Sequence, residues 1–387
     1  MRPQYAAAKV QFDWRLRLRN QKLDILRAVA VLLVLGRHSE GPRFWNFVGW
    51  VGVDLFFVLS GFLISGLLFA EYKATGDIGW KRFFVRRGFK IYPAYYALIL
   101  ATFVWQIAAH EYIPFRLYVP ELLMYQNYAE HLWLHTWSLA VEEHFYIFLP
   151  LILLLLVRWR SGKYSSEPFR AVPHICLIIS IACLLQRLYV VMTLPDLASN
   201  WGYVLFRSHL RFDSLFFGVF LGYLHHFRQQ ELTRFMAMRL PRILLPLASV
   251  ILLLPCTFLA IQSKFLLVFG LTSLYLGFGG LLICALYGWR NGKTGAPTAF
   301  RKFGIPAIAA YIGKYSYSIY LWHPMISQHD QAFLHFVWPH VAGKALFAGN
   351  ILVELVVGIA LSLAIEGPAL NFRDRYFPSL QSVHSAK

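Results

Sequence analysis

Long apolar runs separated by short polar and basic segments recur along the whole chain. A hydrocarbon core of ~30 Å needs ~20 apolar residues for each helical crossing. Ten runs meet or approach that length, at 23–39, 48–70, 91–110, 137–157, 172–194, 210–227, 243–262, 265–288, 305–323 and 345–365. They are continuous and too long for the alternating segments of a closed β-barrel. The pattern therefore predicts an all-α fold, a polytopic transmembrane helical bundle of about ten membrane-spanning helices. One membrane domain is expected over 23–368, between a basic arm at 1–22 and a tail at 369–387, with no internal repeat or soluble domain. The longest linker-like stretch is "RNGKTGAPTAFRKFG", and Gly218 and Gly222 make a GxxxG pair that predicts close helix packing.

Composition agrees: 58% of residues are hydrophobic and only 14% charged, which excludes an ordinary soluble domain. A formal net charge of +18 raises nucleic acid as a partner, but its distribution answers differently. Of 37 Lys and Arg residues, 27 fall in the N-terminal arm, in the turns near 71–90, 158–170, 225–242 and 289–303, and after 365. The alternate loops hold only Arg43, Arg116, Arg207, Lys264 and Lys344. That asymmetry assigns both termini to the cytoplasm, with anionic lipid ahead of nucleic acid as the partner, and the expected location is the cell inner membrane. Cys176, Cys183, Cys256 and Cys284 lie in predicted spans without CxxC spacing and read as small buried hydrophobes. The first 22 residues are polar and basic and no small-residue cleavage site follows the first span, so that span is expected to stay as an anchor.

Ionisable residues inside such spans are expensive and normally face the bundle interior. In "LDILRAVAVLLVLGRHS", Arg27 and His38 stand eleven residues apart, three turns plus about 20°, on one helix face and ~16 Å apart along it. Asp24, three residues before Arg27, is a possible pairing partner, and His38 could merely end a helix. Asp54 opens the second span, Ser138 and Glu142 share a face of the fourth, Arg211 and Asp213 open the sixth, and His323 closes the ninth. All of these fall at the outer level of the predicted topology. At the inner level, "WKRFFVRRGFKIYP" places Lys81, Arg82, Arg86, Arg87 and Lys90 ahead of the third span. Such a cluster serves either topology and lipid headgroups or a phosphate-bearing ligand.

These blocks, with "GVDLFFVLSGFLIS", "TWSLAVEEHFYIFLP", "RFDSLFFGVFLG", "YSYSIYLWHP" and "IEGP", give the chain a resemblance to the acyltransferase-3 family over residues 23 to 368. Its members are polytopic membrane enzymes that O-acylate cell-envelope and secreted glycans. Carried over, the resemblance puts the family's arginine-to-histidine motif on Arg27 and His38, its basic motif on Arg86, Arg87 and Lys90, and its glutamate on Glu142, with Ser138 and Tyr146 beside it. Lys90 departs from the usual arginine and His144 from the commoner glutamine. Many relatives append an esterase-like domain, for which this chain has only about twenty residues, so such a partner is expected to be separate or unneeded.

The resemblance implies that acyl-CoA, with acetyl as the default, is a substrate and not a permanent cofactor. Arg27, Arg86, Arg87 and Lys90 would bind its phosphates, and His38 would act on the hydroxyl of a carbohydrate or glycolipid acceptor from outside. Histidine suits that work, because general-base help contributes ~10²–10⁴-fold; direct transfer and an acyl-histidine intermediate both remain open. Glu142 is expected to orient or stabilise an imidazole, and Arg211 or Ser138 to donate to the oxyanion. The alternative class is a transporter or exporter of a sugar or lipid. No metal site is expected: His131 and His135 have i,i+4 spacing, but no further ligand follows them.

Overall fold

The computed structural model describes residues 20–39, 41–160, 167–288 and 304–378. Residues 1–19 of the predicted arm, 290–303 of the linker and 379–387 of the tail lie outside the described residues. Every regular element among the described residues is helical.

In chain order the principal helices are α1 (Gln21–His38), α2 (Gly52–Thr75), α3 (Trp80–Ala108), α4 (Trp137–Arg160), α5 (Val172–Thr193), α6 (Phe212–Phe227), α7 (Arg239–Leu253), α8 (Leu271–Tyr287), α9 (Ile305–Lys314), α10 (Ser316–Ser327), α11 (Gly343–Leu361) and α12 (Gly367–Tyr376). Seven helical stretches are long and apolar enough to cross a membrane, and they include α2, α3, α4, α5, α7, α8 and α11. The other three expected spans are helical but fall short of that measure for identifiable reasons. The helix α1 carries Lys22, Asp24, Arg27 and Arg37, α6 has only 16 residues, and the run 305–323 breaks at Tyr315 into α9 and α10.

Local chemistry sets several boundaries. Asn20 caps α1, its side chain accepting from the Lys22 N–H at 3.1 Å. Gly76, at φ +76°, ends α2 in the left-handed conformation that glycine adopts without a Cβ penalty. Expected to start at 91, the third span begins at Trp80, so the basic cluster rides on the first turns of α3 instead of on a preceding loop.

Two buried clusters form the interior. One joins α2, α4, α5, α6 and α8; the other joins α3, α10 and the chain between α3 and α4. The helix α1 belongs to both, with Ala30 in the first and Val31, Val34 and Leu35 in the second, which places it between the halves. Glycine permits the tightest approaches. A Cβ on Gly61 would lie 1.9 Å from the Leu215 carbonyl oxygen and one on Gly218 2.3 Å from that of Val58, so α2 and α6 touch backbone to backbone. The expected GxxxG contact is thus present. Two ion pairs tie α6 to its neighbours, Arg211 to Asp54 of α2 at 2.6 Å and Asp213 to Arg187 of α5 at 2.6 Å, all four side chains essentially inaccessible. Large apolar side chains such as Leu100, Leu155, Ile178 and Leu247 point outward, as lipid-facing positions do. Cys176, Cys183 and Cys256 are buried free thiols, and Cys284 is half-buried.

Candidate active site

At one end of α1, Arg27 lines a cavity of about 280 Å³ with Arg87 of α3, His225 and His226 of α6, and an apolar wall from Phe62 to Leu67 of α2. Arg27 also meets Asp24 at 3.1 Å, as its position three residues on allows. Arg87 is held firmly. Its guanidinium donates to the Tyr146 hydroxyl, lies 4.2 Å from that ring's centroid and stands 3.7 Å from Glu142. Glu142 in turn accepts from Ser60 at 2.8 Å and from Tyr146. Its partners therefore belong to the cationic level, whereas the sequence placed it beside an imidazole. The neighbouring Glu143 turns to the Tyr92 hydroxyl at 3.0 Å.

The remaining cations of that cluster are engaged elsewhere. Arg86 pairs with Asp374 at 3.2 Å and donates to the Phe377 carbonyl, both at the C-terminal end of the described chain. Lys90 pairs with Glu366, which also accepts from Ser362 at 2.9 Å. Glu366 closes a π-helical turn, Ser362–Glu366, that joins α11 to α12; such turns redirect side chains within a continuous helix. Of the four expected donor-binding residues, Arg27 and Arg87 share the cavity lining, while Arg86 and Lys90 tie α3 to the chain after α11.

At the other end of α1, His38 is exposed and its ring packs edge-on against His323 of α10, centroids 5.0 Å apart. His323 packs in turn against His135 at 5.3 Å. Both inner rings are buried and fixed by main-chain carbonyls, His323 Nδ1 on Tyr320 and His135 Nε2 on Leu321 at 3.0 Å. Ser138 meets the Tyr320 hydroxyl at 2.6 Å, and both hydroxyls also reach the His135 carbonyl. Ser138 thus braces the imidazole cluster from below. Arg37, beside His38, donates to the Asn46 carbonyl.

The segment that delivers His135 is organised by Glu121, in the short helix Tyr118–Leu122. This carboxylate accepts from Tyr95 at 2.7 Å, from Thr136 at 3.0 Å and from the Leu132 and Trp133 N–H groups at 3.1 Å. Burial pushes its carboxyl above the ordinary glutamate value, and those donors oppose the push.

Arg211 is joined to none of these imidazoles by a described contact; one edge of its guanidinium is committed to Asp54, and the rings of Phe57 and Trp137 lie against it. Sequence reading missed His225, His226, Tyr320 and Glu121. It weighed His135 only as a metal ligand paired with His131, but His131 is exposed and His135 is buried. A usable signal existed: His135 and Ser138, like Tyr320 and His323, are three residues apart and share a face.

A family model described as an acyltransferase domain matches residues 20–366. A protein of Staphylococcus aureus (strain COL), provisionally named an O-acetyltransferase, is 30% identical over 319 residues, 78% of this chain and 49% of that protein. Peptidoglycan O-acetyltransferase OatA of Listeria monocytogenes is 27% identical over 328 residues, 79% of this chain and 49% of its own. O-acetyltransferase OatA of Staphylococcus aureus (strain NCTC 8325) is 26% identical over 319 residues, with 78% and 49% covered. The chain spans about half the length of these relatives. No solved structure matches it.

Proposed function

The chain belongs to the acyltransferase-3 family, and from that premise we propose that it is a membrane O-acyltransferase, moving an acyl group, acetyl by default, from cytoplasmic acyl-CoA to a hydroxyl of an extracytoplasmic carbohydrate or lipid-linked glycan. One observation carries the reading. A single helix, α1, presents Arg27 to a cationic cavity near one end and His38 to a cluster of imidazoles at the other.

Each end matches one partner's chemistry. CoA is multiply anionic, and Arg27 and Arg87 offer permanently charged, fork-shaped donors beside an apolar wall. Glu142 and Tyr146 hold Arg87 in place, which is the role the contacts favour for that carboxylate over orienting an imidazole. Arg86 and Lys90 fasten the helix that carries Arg87. At the far end, a sugar hydroxyl is a poor nucleophile until a base takes its proton. His38, exposed on one side, meets that need. The hydroxyl oxygen attacks the acyl carbon, the proton passes to His38, and the carbon–sulfur bond breaks; the CoA thiolate is then protonated at the expense of the His38 imidazolium, which restores the neutral base. An acyl-histidine route places the same demand on His38, an unprotonated ring nitrogen facing the open side. Arg211 is assigned to the scaffold, through Asp54.

The positive-inside asymmetry supports cytoplasmic termini and with them an even number of crossings, which the ten apolar runs supply; the membrane proposed is the inner one. The test is purified protein in vesicles with radiolabelled acyl-CoA and a glycan acceptor. Acyl label should pass to the glycan, and His38→Ala should abolish transfer while leaving the folded protein and its donor binding intact. Undiminished turnover in that variant would refute the assignment.

A further inference from the structure

The three imidazoles differ in how they are satisfied. A carbonyl oxygen only accepts, so the ring nitrogen facing it carries the proton. His323 therefore holds its proton on Nδ1, toward Tyr320, and His135 holds its own on Nε2, toward Leu321. Each is left with one nitrogen that can only accept, and neither His323 Nε2 nor His135 Nδ1 has a hydrogen-bond partner among the described residues. His323 is fully buried, where an unpartnered polar nitrogen is costly.

Three rings pack on His323: His135, Tyr320 and His38. His135 has no second N–H to give. The Tyr320 hydroxyl proton is committed to Ser138 or to the His135 carbonyl. Among these rings only His38 has an N–H left to offer, and at a centroid separation of 5.0 Å rotation of its exposed ring brings that N–H within reach of His323 Nε2.

We infer that His323 is the positioning residue for His38: its Nε2, locked as an acceptor, takes the His38 N–H and so fixes the tautomer in which the other His38 nitrogen faces the open side with its lone pair. This rests on the acyl-transfer reading above. When His38 takes the hydroxyl proton, the second N–H of the resulting imidazolium remains bonded to His323, so no proton enters the buried cluster. The arrangement does for His38 what a hydrogen-bonded second group does for any catalytic imidazole, setting which nitrogen is free.

Two substitutions separate positioning from mere structure. His323→Gln places an amide oxygen near the Nε2 position and retains an acceptor there; His323→Asn keeps an N–H near the Nδ1 position for the Tyr320 carbonyl but has no acceptor for His38. Both are polar and of similar bulk, and detergent gel filtration reports their folding. With labelled acyl-CoA and acceptor, His323→Asn should lower kcat by about 10- to 100-fold with donor KM unchanged, and His323→Gln should recover most of it. A purely structural histidine predicts the opposite ranking, and that ranking, or equal loss in both, overturns the inference. Carbethoxylation of His38 by diethyl pyrocarbonate, read by mass spectrometry, reports the same nitrogen without turnover. It should be slower in His323→Asn than in His323→Gln; equal rates again overturn the inference. A wild-type protein that shows the labelling difference in its variants but transfers no acyl group would sink the proposed function and leave His323 as the orienter of His38.

Discussion

Replacing Arg87 by Ala is the sharpest test of the donor cavity, because its outcome can be set against that of its neighbour Arg86. Arg87 lines the cavity with Arg27, whereas Arg86 points to Asp374 and the Phe377 carbonyl. A hydrogen bond to a charged group contributes ~1.5–3 kcal/mol, and ~1.4 kcal/mol is a factor of ten in affinity. Arg87→Ala should thus weaken acyl-CoA binding by roughly 10- to 150-fold, measured by titration calorimetry or as donor KM. Arg87→Lys keeps the charge without the fork and should fall between. The Arg86–Asp374 pair is half exposed on its acidic side, and such pairs contribute at most about 1 kcal/mol, to stability alone. Donor affinity in Arg86→Ala should therefore stay within about threefold of wild type. Added salt provides a second axis: screening over ~10 Å at 0.1 M should weaken wild-type binding more steeply than that of Arg87→Ala. Equal loss of affinity in the two alanine variants, or none in either, would remove the cavity from the account.

Three further outcomes follow from the packing. Arg211→Leu should lower stability by ~3–5 kcal/mol, because Asp54 is left as an uncompensated buried charge, and the double change with Asp54→Leu should recover much of it; thermal unfolding in detergent measures both. Transfer per folded molecule should persist in that double variant, and a loss of ~10²-fold would restore Arg211 to the oxyanion role. Glu121→Leu strands the Leu132 and Trp133 main-chain N–H groups at ~1–3 kcal/mol each and leaves the Tyr95 and Thr136 hydroxyls only their main-chain acceptors, so the thermal midpoint should drop and kcat should fall more than donor affinity. Gly61→Ala sets a Cβ 1.9 Å from the Leu215 carbonyl oxygen and should reduce the yield of folded protein more than Gly76→Ala, whose site has open space.

The all-helical membrane bundle was legible because a run of apolar residues must satisfy its own backbone in lipid, and only a helix does so locally. The two depths of polar chemistry were legible too, since helical period alone put Arg27 and His38 on one face. Tertiary pairing was not. Glu142 and Ser138 share a face of α4 and one expected level, but Glu142 turns to Arg87 and Ser138 to Tyr320. Nothing in "VRRGFK" separates Arg87, which faces the cavity, from Arg86, because only the course of the chain after α11 brings Asp374 alongside one of them. The break at Tyr315 also escaped, as "IGKYSYS" holds no proline to mark it. His135 was hidden for a similar reason: its ring finds His323 from a segment more than 180 residues away in sequence, placed there by Glu121.

Placing the two ends of the reaction on one helix has a further consequence for what lies between them. Eleven residues at 1.5 Å per residue fix Arg27 and His38 ~16 Å apart, a span that, on the function proposed above, the thioester arm of a donor held at Arg27 and Arg87 would have to cover. An arm with amide groups cannot cross that distance through hydrocarbon without losing several kcal/mol for each unpaired polar group. Two separate polar groups stand between those levels. Arg87 meets Tyr146 and Glu142, Glu142 meets Ser60, and one turn earlier on α4 Ser138 meets Tyr320, whose ring packs on His323 and His135. On the acyl-CoA reading proposed above, each of these hydroxyls could exchange a protein partner for a donor amide at little net cost. Glu142 holds Arg87 and Ser60 in the first of these groups, and the outer imidazole is left, on the inference above, to His323.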